Sequence, residues 1–118
     1  MAAKDRLGRY GEDLAVSYLE DHGLVVLDRN WRCSDGELDI VARDGATLVF
    51  CEVKTRSGTG FGLPAEAVIG AKARRIRGLA VRWLAAQEVG WAELRFDVVS
   101  VLRIPGRQPS VEHLAGVF

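Results

Sequence analysis

The stretch GELDIVARDGATLVFCEVKTR, residues 36–56, decides the fold because it contains a complete predicted β-hairpin. Two segments rich in Leu, Ile, Val and Phe flank an Asp-Gly pair at positions 44–45, which is a strong hairpin signal. Charged residues nevertheless interrupt both predicted strands: Asp39 in the first, and Glu52 and Lys54 in the second. Strands that pack against a core normally exclude charge, so these three residues require an explanation.

Alternation of side chains along a strand predicts which residues share a face. In the second strand, Glu52 and Lys54 point the same way as Leu48 and Phe50, and they lie about 6.6 Å apart for a rise of ~3.3 Å per residue. Because the antiparallel strands pivot on the Asp-Gly turn, Asp39 lies at a similar height and can converge on the same spot.

In the first strand, the same rule predicts that Asp39 shares a face with Glu37 and Val41. Leu38 and Ile40 are then expected to lie together on the opposite face.

Two carboxylates and an ammonium on an apolar face are costly, because like charges raise each other's pKa and each charge loses hydration. Mg²⁺ (or Mn²⁺) bound to Asp39 and Glu52 offsets this cost, since Mg²⁺ prefers oxygen ligands and needs only one or two protein carboxylates. Lys54 is then placed to orient an attacking water in phosphodiester hydrolysis. A salt bridge between one acid and Lys54 or a nearby arginine explains the same spacing without a metal.

Asp97, within RFDVVSV, is instead predicted to be an ion-paired strand residue.

The remaining segments predict one α/β domain over residues 1–118, in which helices pack against a mixed sheet. Apolar residues at 3.6-residue spacing predict helices over Asp5–His22 and from Gly70 to about Gln87. A glycine-rich loop, SGTGFGLP, follows the hairpin at 57–64. Strands are predicted at 24–33, 37–43, 47–56, 94–103 and 110–116. The predicted order is therefore helix, three strands, helix, strand, strand.

Composition is typical of a small globular protein: 118 residues, 48% hydrophobic and 27% charged. No apolar run approaches the roughly 20 residues that a membrane helix requires, and the N-terminus lacks the apolar segment of a secretory signal. Two cysteines, Cys33 and Cys51, are too few for a disulfide framework. The sequence therefore predicts a cytoplasmic protein with no membrane association.

The zero net charge conceals an asymmetry between the two halves of the chain. Residues 1–60 hold eleven acids and eight bases, whereas residues 61–118 hold five acids and eight bases. One segment of the second predicted helix carries bases and no acid: Lys72, Arg74, Arg75, Arg77 and Arg82. The arginines are suited to contact phosphates, although a solvated helix face is an equally simple explanation. Lys72 falls on the apolar side, where it either extends toward the sheet or snorkels to solvent.

Glu12 lies in GRYGED on the first predicted helix, close to Gly8 and Gly11. A glycine within a helix costs ~1 kcal/mol relative to alanine, so this pair suggests that the sheet or a ligand passes close to the backbone there. A solvated surface position is the alternative interpretation of Glu12.

Five stretches carry a resemblance to a known family: GRYGEDLAVSYLEDHG, RNWRCSDGELDIVARDG, LVFCEVKTRSGTGFGLPAEAV, AKARRIR and RFDVVSV. Together they resemble the YraN-like family of small bacterial proteins over nearly the whole chain. That family is similar to restriction-endonuclease-like nucleases with the D-(x)n-(D/E)xK signature, and especially to archaeal-type Holliday junction resolvases. The resemblance implies an αβββαβ core with a mixed central sheet flanked by helices, and Mg²⁺-dependent cleavage of DNA.

The resemblance also implies a role for each matching residue. Asp39 stands at the first acid of the signature, Glu52 and Lys54 supply its ExK, and Glu12 matches the helix glutamate that contributes to the metal site in the resolvase-like branch. The backbone carbonyl of Val53 is a further candidate ligand. The proline that often precedes the first acid is replaced by Leu38. Candidate nucleic-acid contacts are Lys72, Arg75, Arg74 and Arg56.

Resolvase-like relatives act as dimers, so the resemblance also suggests a homodimer. The alternatives are a catalytically inactive nucleic-acid-binding or scaffold protein of the same fold, and an interaction domain whose hairpin charges are only ion-paired. The intact ExK motif favours the nuclease.

Overall fold

The computed structural model describes residues 3–57, 70–87, 90 and 93–118. Two helices and five strands follow the predicted order. Their bounds are α1 Ala3–Asp21, β1 Val25–Cys33, β2 Gly36–Asp44, β3 Thr47–Ser57, α2 Gly70–Ala86, β4 Glu93–Arg103 and β5 Ser110–Leu114. The glycine-rich loop predicted after the hairpin lies outside the described residues from position 58 onward.

The five strands form one mixed sheet in the order β1-β2-β3-β4-β5. β2 and β3 form the predicted antiparallel hairpin, and Gly45 in its turn has a φ of 60° that suits glycine. β4 returns parallel to β3 after α2, as a crossover connection requires, and β5 is antiparallel to β4. The chain therefore forms a single α/β domain with an αβββαβ core, as predicted.

Each helix covers one face of the sheet and closes a separate apolar core. The α1-side core contains Ala15 and Leu19 of α1 with strand residues such as Cys51. The α2-side core contains Leu79 and Trp83 of α2. Strand β3 serves both cores in alternation, because Leu48 and Phe50 pack on the α2 side whereas Val49 and Cys51 pack on the α1 side. Neither of the described helices is long and apolar enough to cross a membrane.

The predicted side-chain alternation of the first hairpin strand is wrong around Asp39. Leu38 belongs to the α2-side core together with Val41, whereas Ile40 belongs to the α1-side core. Alternation therefore breaks between Leu38 and Ile40. On the neighbouring strand β1, Arg29 pairs with Ile40 and Trp31 pairs with Leu38. Asn30 lies between these two partners and has a φ of 53°. The two strands are irregular at the same level, which a rule for regular strands cannot anticipate.

Candidate functional site

Asp39 lies where the hairpin ladder ends. The last described β2–β3 pair is Ile40 with Cys51. Two residues further along β3, the backbone N–H of Val53 donates to the side chain of Asp39 on β2, at 2.9 Å from Oδ2. A carboxylate thus replaces a backbone carbonyl as the partner of β3. Strand β3 continues to Ser57 alongside β4, so β2 and β3 diverge and open a gap beside Asp39.

Glu52 and Lys54 share the α2-side face of β3, as predicted. Lys54 Nζ lies 3.6 Å from Glu52 Oε1, and Lys72 Nζ from α2 lies 3.1 Å from the same oxygen. The Glu52 side chain is only 13% exposed. Lys72 therefore extends from its helix to the sheet, and Glu52 makes the ion pairs that the alternative explanation of the hairpin expects.

Glu52 lies close enough to Asp39 to affect the charge of Asp39. Burial, followed by the negative charge of Glu52, raises the pKa of Asp39 to about 7, although the Val53 N–H opposes this shift. Burial, followed by contact with Lys72, lowers the pKa of Lys54. Burial alone lowers the pKa of Lys72, but contact with Lys54 and the charge of Glu52 raise it above the ordinary lysine value. Two acids and two lysines thus share one half-buried spot.

Two clefts meet at Asp39, one on each side of the sheet. The α1-side cleft has a volume of about 320 Å³ and is lined by Leu7, Gly8, Glu12, Asp39, Val53, Lys54 and Thr55. The α2-side cleft has a volume of about 350 Å³ and is lined by Gly36, Glu37, Asp39, Glu52, Lys72, Arg75, Ile76 and Leu79. The structure therefore places Glu12 and Val53 in one cleft with Asp39, and Lys72 and Arg75 in the other.

Glu12 is held by two neighbours on β1 that the sequence analysis missed. Its Oε1 accepts hydrogen bonds from Arg29 Nε at 3.0 Å and from Asn30 Nδ2 at 2.9 Å. Its side chain is 12% exposed, so the solvated surface position considered above is wrong. An Asn inside a strand is unusual, because Asn is depleted in strands and enriched in left-handed backbone, and this was the available signal.

The glycines beside Glu12 have different surroundings. A Cβ at Gly11 would lie 1.7 Å from Thr55 Oγ1, so the close approach predicted there is made by strand β3. A Cβ at Gly8 would meet no neighbour within 4 Å among the residues that the structure describes, and Gly8 lines the α1-side cleft.

The other two candidate nucleic-acid contacts lie outside both clefts. Arg74 is exposed on α2, and Arg56 is half-buried near the end of β3. Neither lines the space around Asp39.

The carboxylates suit a hard cation that keeps several waters, rather than a metal ion held by a cage of several protein ligands. Within the described ranges, no three Asp, Glu, His or Cys side chains form a cluster that could hold a metal ion. Asp39 and Glu52 nevertheless offer two adjacent carboxylates, which is the number that Mg²⁺ uses when waters and substrate oxygens complete its coordination. Among the described residues that line the two clefts there is no His or Cys, so this donor set favours Mg²⁺ or Mn²⁺ over zinc.

The mixed sheet, its αβββαβ order and the flanking helices define an α/β domain that is consistent with a restriction-endonuclease-like core. Residues 11–101 match the Uncharacterised protein family UPF0102, and the chain belongs to this family, the YraN family.

Relatives in this family match the chain over almost its full length. The UPF0102 protein of Frankia alni is 61% identical over 118 residues, which cover 100% of this chain and 98% of that protein. The UPF0102 protein of Nocardia farcinica is 56% identical, covering 98% and 91%, and that of Rhodococcus opacus is 51% identical, covering 100% of both chains. Their names describe no activity.

Proposed function

We propose that this protein is a cytoplasmic, Mg²⁺- or Mn²⁺-dependent endonuclease that hydrolyses DNA phosphodiester bonds, including those of branched or otherwise structured DNA. One observation carries the proposal: two carboxylates, Asp39 and Glu52, adjoin in a half-buried gap with Lys54 and Lys72 beside them. A sheet that needed only ion pairs has no reason to place two acids together, because the negative charge of Glu52 raises the cost of ionising Asp39.

In the proposed mechanism, Asp39 and Glu52 would hold the cation, the Val53 carbonyl is a further candidate ligand, and Glu12 would bind a water or a second ion in the α1-side cleft. When bound, the ion would supply charge stabilisation for the phosphoryl oxygens and would lower the pKa of the attacking water. Lys54 would orient the attacking water through a hydrogen bond donated by Nζ.

Phosphate binding is assigned to the basic edge of the α2-side cleft. Lys72 and Arg75 contact the scissile and adjoining phosphates, since both line the space beside Glu52. Arg74 and Arg56 extend this contact to more distant phosphates. A homodimer of this chain would present two such sites to one DNA molecule.

A cleavage assay tests the proposal directly. Linear duplex, single-stranded, flap and four-way-junction DNA are incubated with the purified protein in Mg²⁺, Mn²⁺ or chelator. We expect metal-dependent cleavage of at least one substrate, and a loss of at least ~100-fold in Glu52→Ala and Lys54→Ala, because Glu52 would hold the cation and Lys54 would orient the attacking water. Glu112→Gln, which removes an exposed acid of β5, is the matched control and should cleave normally.

Three results would contradict the proposal in different ways. Cleavage that persists equally in Glu52→Ala and Lys54→Ala would place the activity elsewhere or in a contaminant. DNA binding without cleavage under every metal condition would favour the catalytically inactive binding protein. Equal cleavage in chelator would exclude the metal.

A further inference from the structure

We propose that Arg29 and Asn30 are positioning residues that hold Glu12 in the α1-side cleft for binding of the divalent cation or its water. This inference rests on the proposed function, because Glu12 needs a fixed orientation only if it faces a ligand there. Nothing in the ExK signature points to Arg29 or Asn30, which lie on β1, outside the hairpin.

The geometry of the contact is directional. Arg29 Nε and Asn30 Nδ2 both donate to Oε1 of Glu12, at 3.0 and 2.9 Å. Neither donor occupies the second carboxylate oxygen, so the pair fixes the carboxylate through one oxygen only. Arg29 is itself anchored by Asp13, whose Oδ1 lies 2.7 Å from Arg29 Nη2.

The backbone of Asn30 is adapted to this contact. Its φ of 53° makes it the only residue other than glycine with a positive φ in the part of the chain that the structure describes. Non-glycine residues in this region store strain of about 1–3 kcal/mol and are found preferentially at functional sites, and Asn tolerates it better than most. The strained backbone of Asn30 is explained if it is required to direct the side-chain amide toward Glu12.

The register connects this strained residue to the candidate metal ligand. Arg29 pairs with Ile40 and Trp31 pairs with Leu38, so Asn30 and Asp39 lie opposite each other at the level where both strands are irregular. Asn30 then directs its side chain to Glu12, and Asp39 directs its own to Val53. The positive φ of Asn30 and the break in alternation at Asp39 thus coincide where Glu12 and Asp39 line the same cleft.

Ligand-orienting hydrogen bonds of this kind typically change metal affinity by about 10- to 100-fold when they are removed. A purely structural tie between α1 and β1 would change the stability of the fold and leave the affinity for metal unchanged. Metal affinity, measured apart from stability, therefore separates the two roles.

The test is a calorimetric Mn²⁺ titration of the full chain in the absence of DNA, with urea unfolding of each variant in chelator. Asn30→Gly removes the amide and retains the positive φ, and Arg29→Met removes the guanidinium and retains its bulk. We expect both to weaken Mn²⁺ binding by about 10- to 100-fold, and Arg29→Lys to recover part of the loss. Glu20→Gln is the matched control, because it removes an exposed acid of α1 that lines neither cleft; it should bind Mn²⁺ normally.

Unchanged Mn²⁺ affinity in folded Asn30→Gly would overturn the positioning role and leave the proposed function intact. Equal weakening in Glu20→Gln would overturn it as well, since the effect would then follow from loss of any negative charge on α1. A lack of Mn²⁺ binding by the unaltered protein would overturn the metal site of the proposed function, and this assignment with it.

Discussion

Two acids on the strands that flank β3 have opposite environments. Asp97 of β4 is fully buried, and its oxygens are bound by Arg95, by His113 Nε2 at 2.7 Å and by the backbone N–H of Gly116 at 2.9 Å. Asp39 of β2 is half-buried, and within the described chain it receives one backbone N–H.

The pKa values of the two acids move in opposite directions for this reason. Burial raises the pKa of Asp97, but the hydrogen bonds from His113 and Arg95 outweigh burial, so the net pKa lies below the ordinary value. Burial and Glu52 together raise the pKa of Asp39. The fold satisfies Asp97 with the Arg95 guanidinium and with hydrogen bonds from His113 and Gly116, whereas it gives Asp39 a second acid. An acid that the fold itself satisfies is structural, and an acid left beside another acid is a candidate binding site.

The largest expected difference between the two acids is in stability. Asp97→Ala leaves Arg95 and His113 without their buried partner, so we expect it to lower the free energy of unfolding by about 3–5 kcal/mol, as for other broken buried ion pairs. Urea denaturation followed by circular dichroism measures this loss. Asp35→Ala is the control, because its ion pair with Arg82 is exposed and should contribute under about 1 kcal/mol. A loss of less than 1 kcal/mol in Asp97→Ala would show that the two acids do not differ in this way.

The second prediction concerns pH in the presence of chelator. The pKa of Asp39 rises from 3.8 to about 7 on folding, so the folded protein binds more protons than the unfolded chain between these values. The contribution of Asp39 to stability therefore falls as the pH rises from about 4 to about 7. Asp39→Asn should remove this fall and stabilise the protein at pH 8 by on the order of 1–3 kcal/mol.

The contribution of Asp97 to stability should change with pH in the opposite direction. Its lowered pKa gives stability that is present above pH 3.8 and is lost as the pH falls below that value. Urea unfolding at several pH values measures both effects, with Asp35→Asn as the charge control. Identical pH profiles for Asp39→Asn and the unaltered protein would contradict the contrast.

The smallest expected effect tests whether the space beside Asp39 is open. Gly8→Ala places a methyl group where no described neighbour lies within 4 Å, so we expect a gain of about 0.5–1 kcal/mol in stability from helix propensity. Gly78→Ala, in open space on α2, is the matched control and should gain the same. Gly11→Ala should lose stability, because its Cβ would overlap Thr55. A destabilised Gly8→Ala would show that the α1-side cleft is closed by packing; thermal unfolding measures all three.

The sequence by itself determined the order of the elements, the hairpin and the shared face of Glu52 and Lys54. It also identified Asp97 as an ion-paired strand residue, although not its partners. Helical spacing, the Asp-Gly turn and strand alternation are local properties, and each is set by residues a few positions apart.

Only the tertiary structure decided how the candidate site is assembled. Lys72 reaches Glu52 across 20 positions of sequence, and Arg29 and Asn30 reach Glu12 from another element. The prediction that Leu38 and Ile40 share a face was wrong because the backbone is irregular around Asn30 and Asp39, and alternation holds only for regular strands. Contacts between distant segments depend on the packing of α1 and α2 against opposite faces of the sheet, and no local pattern in the chain encodes that packing.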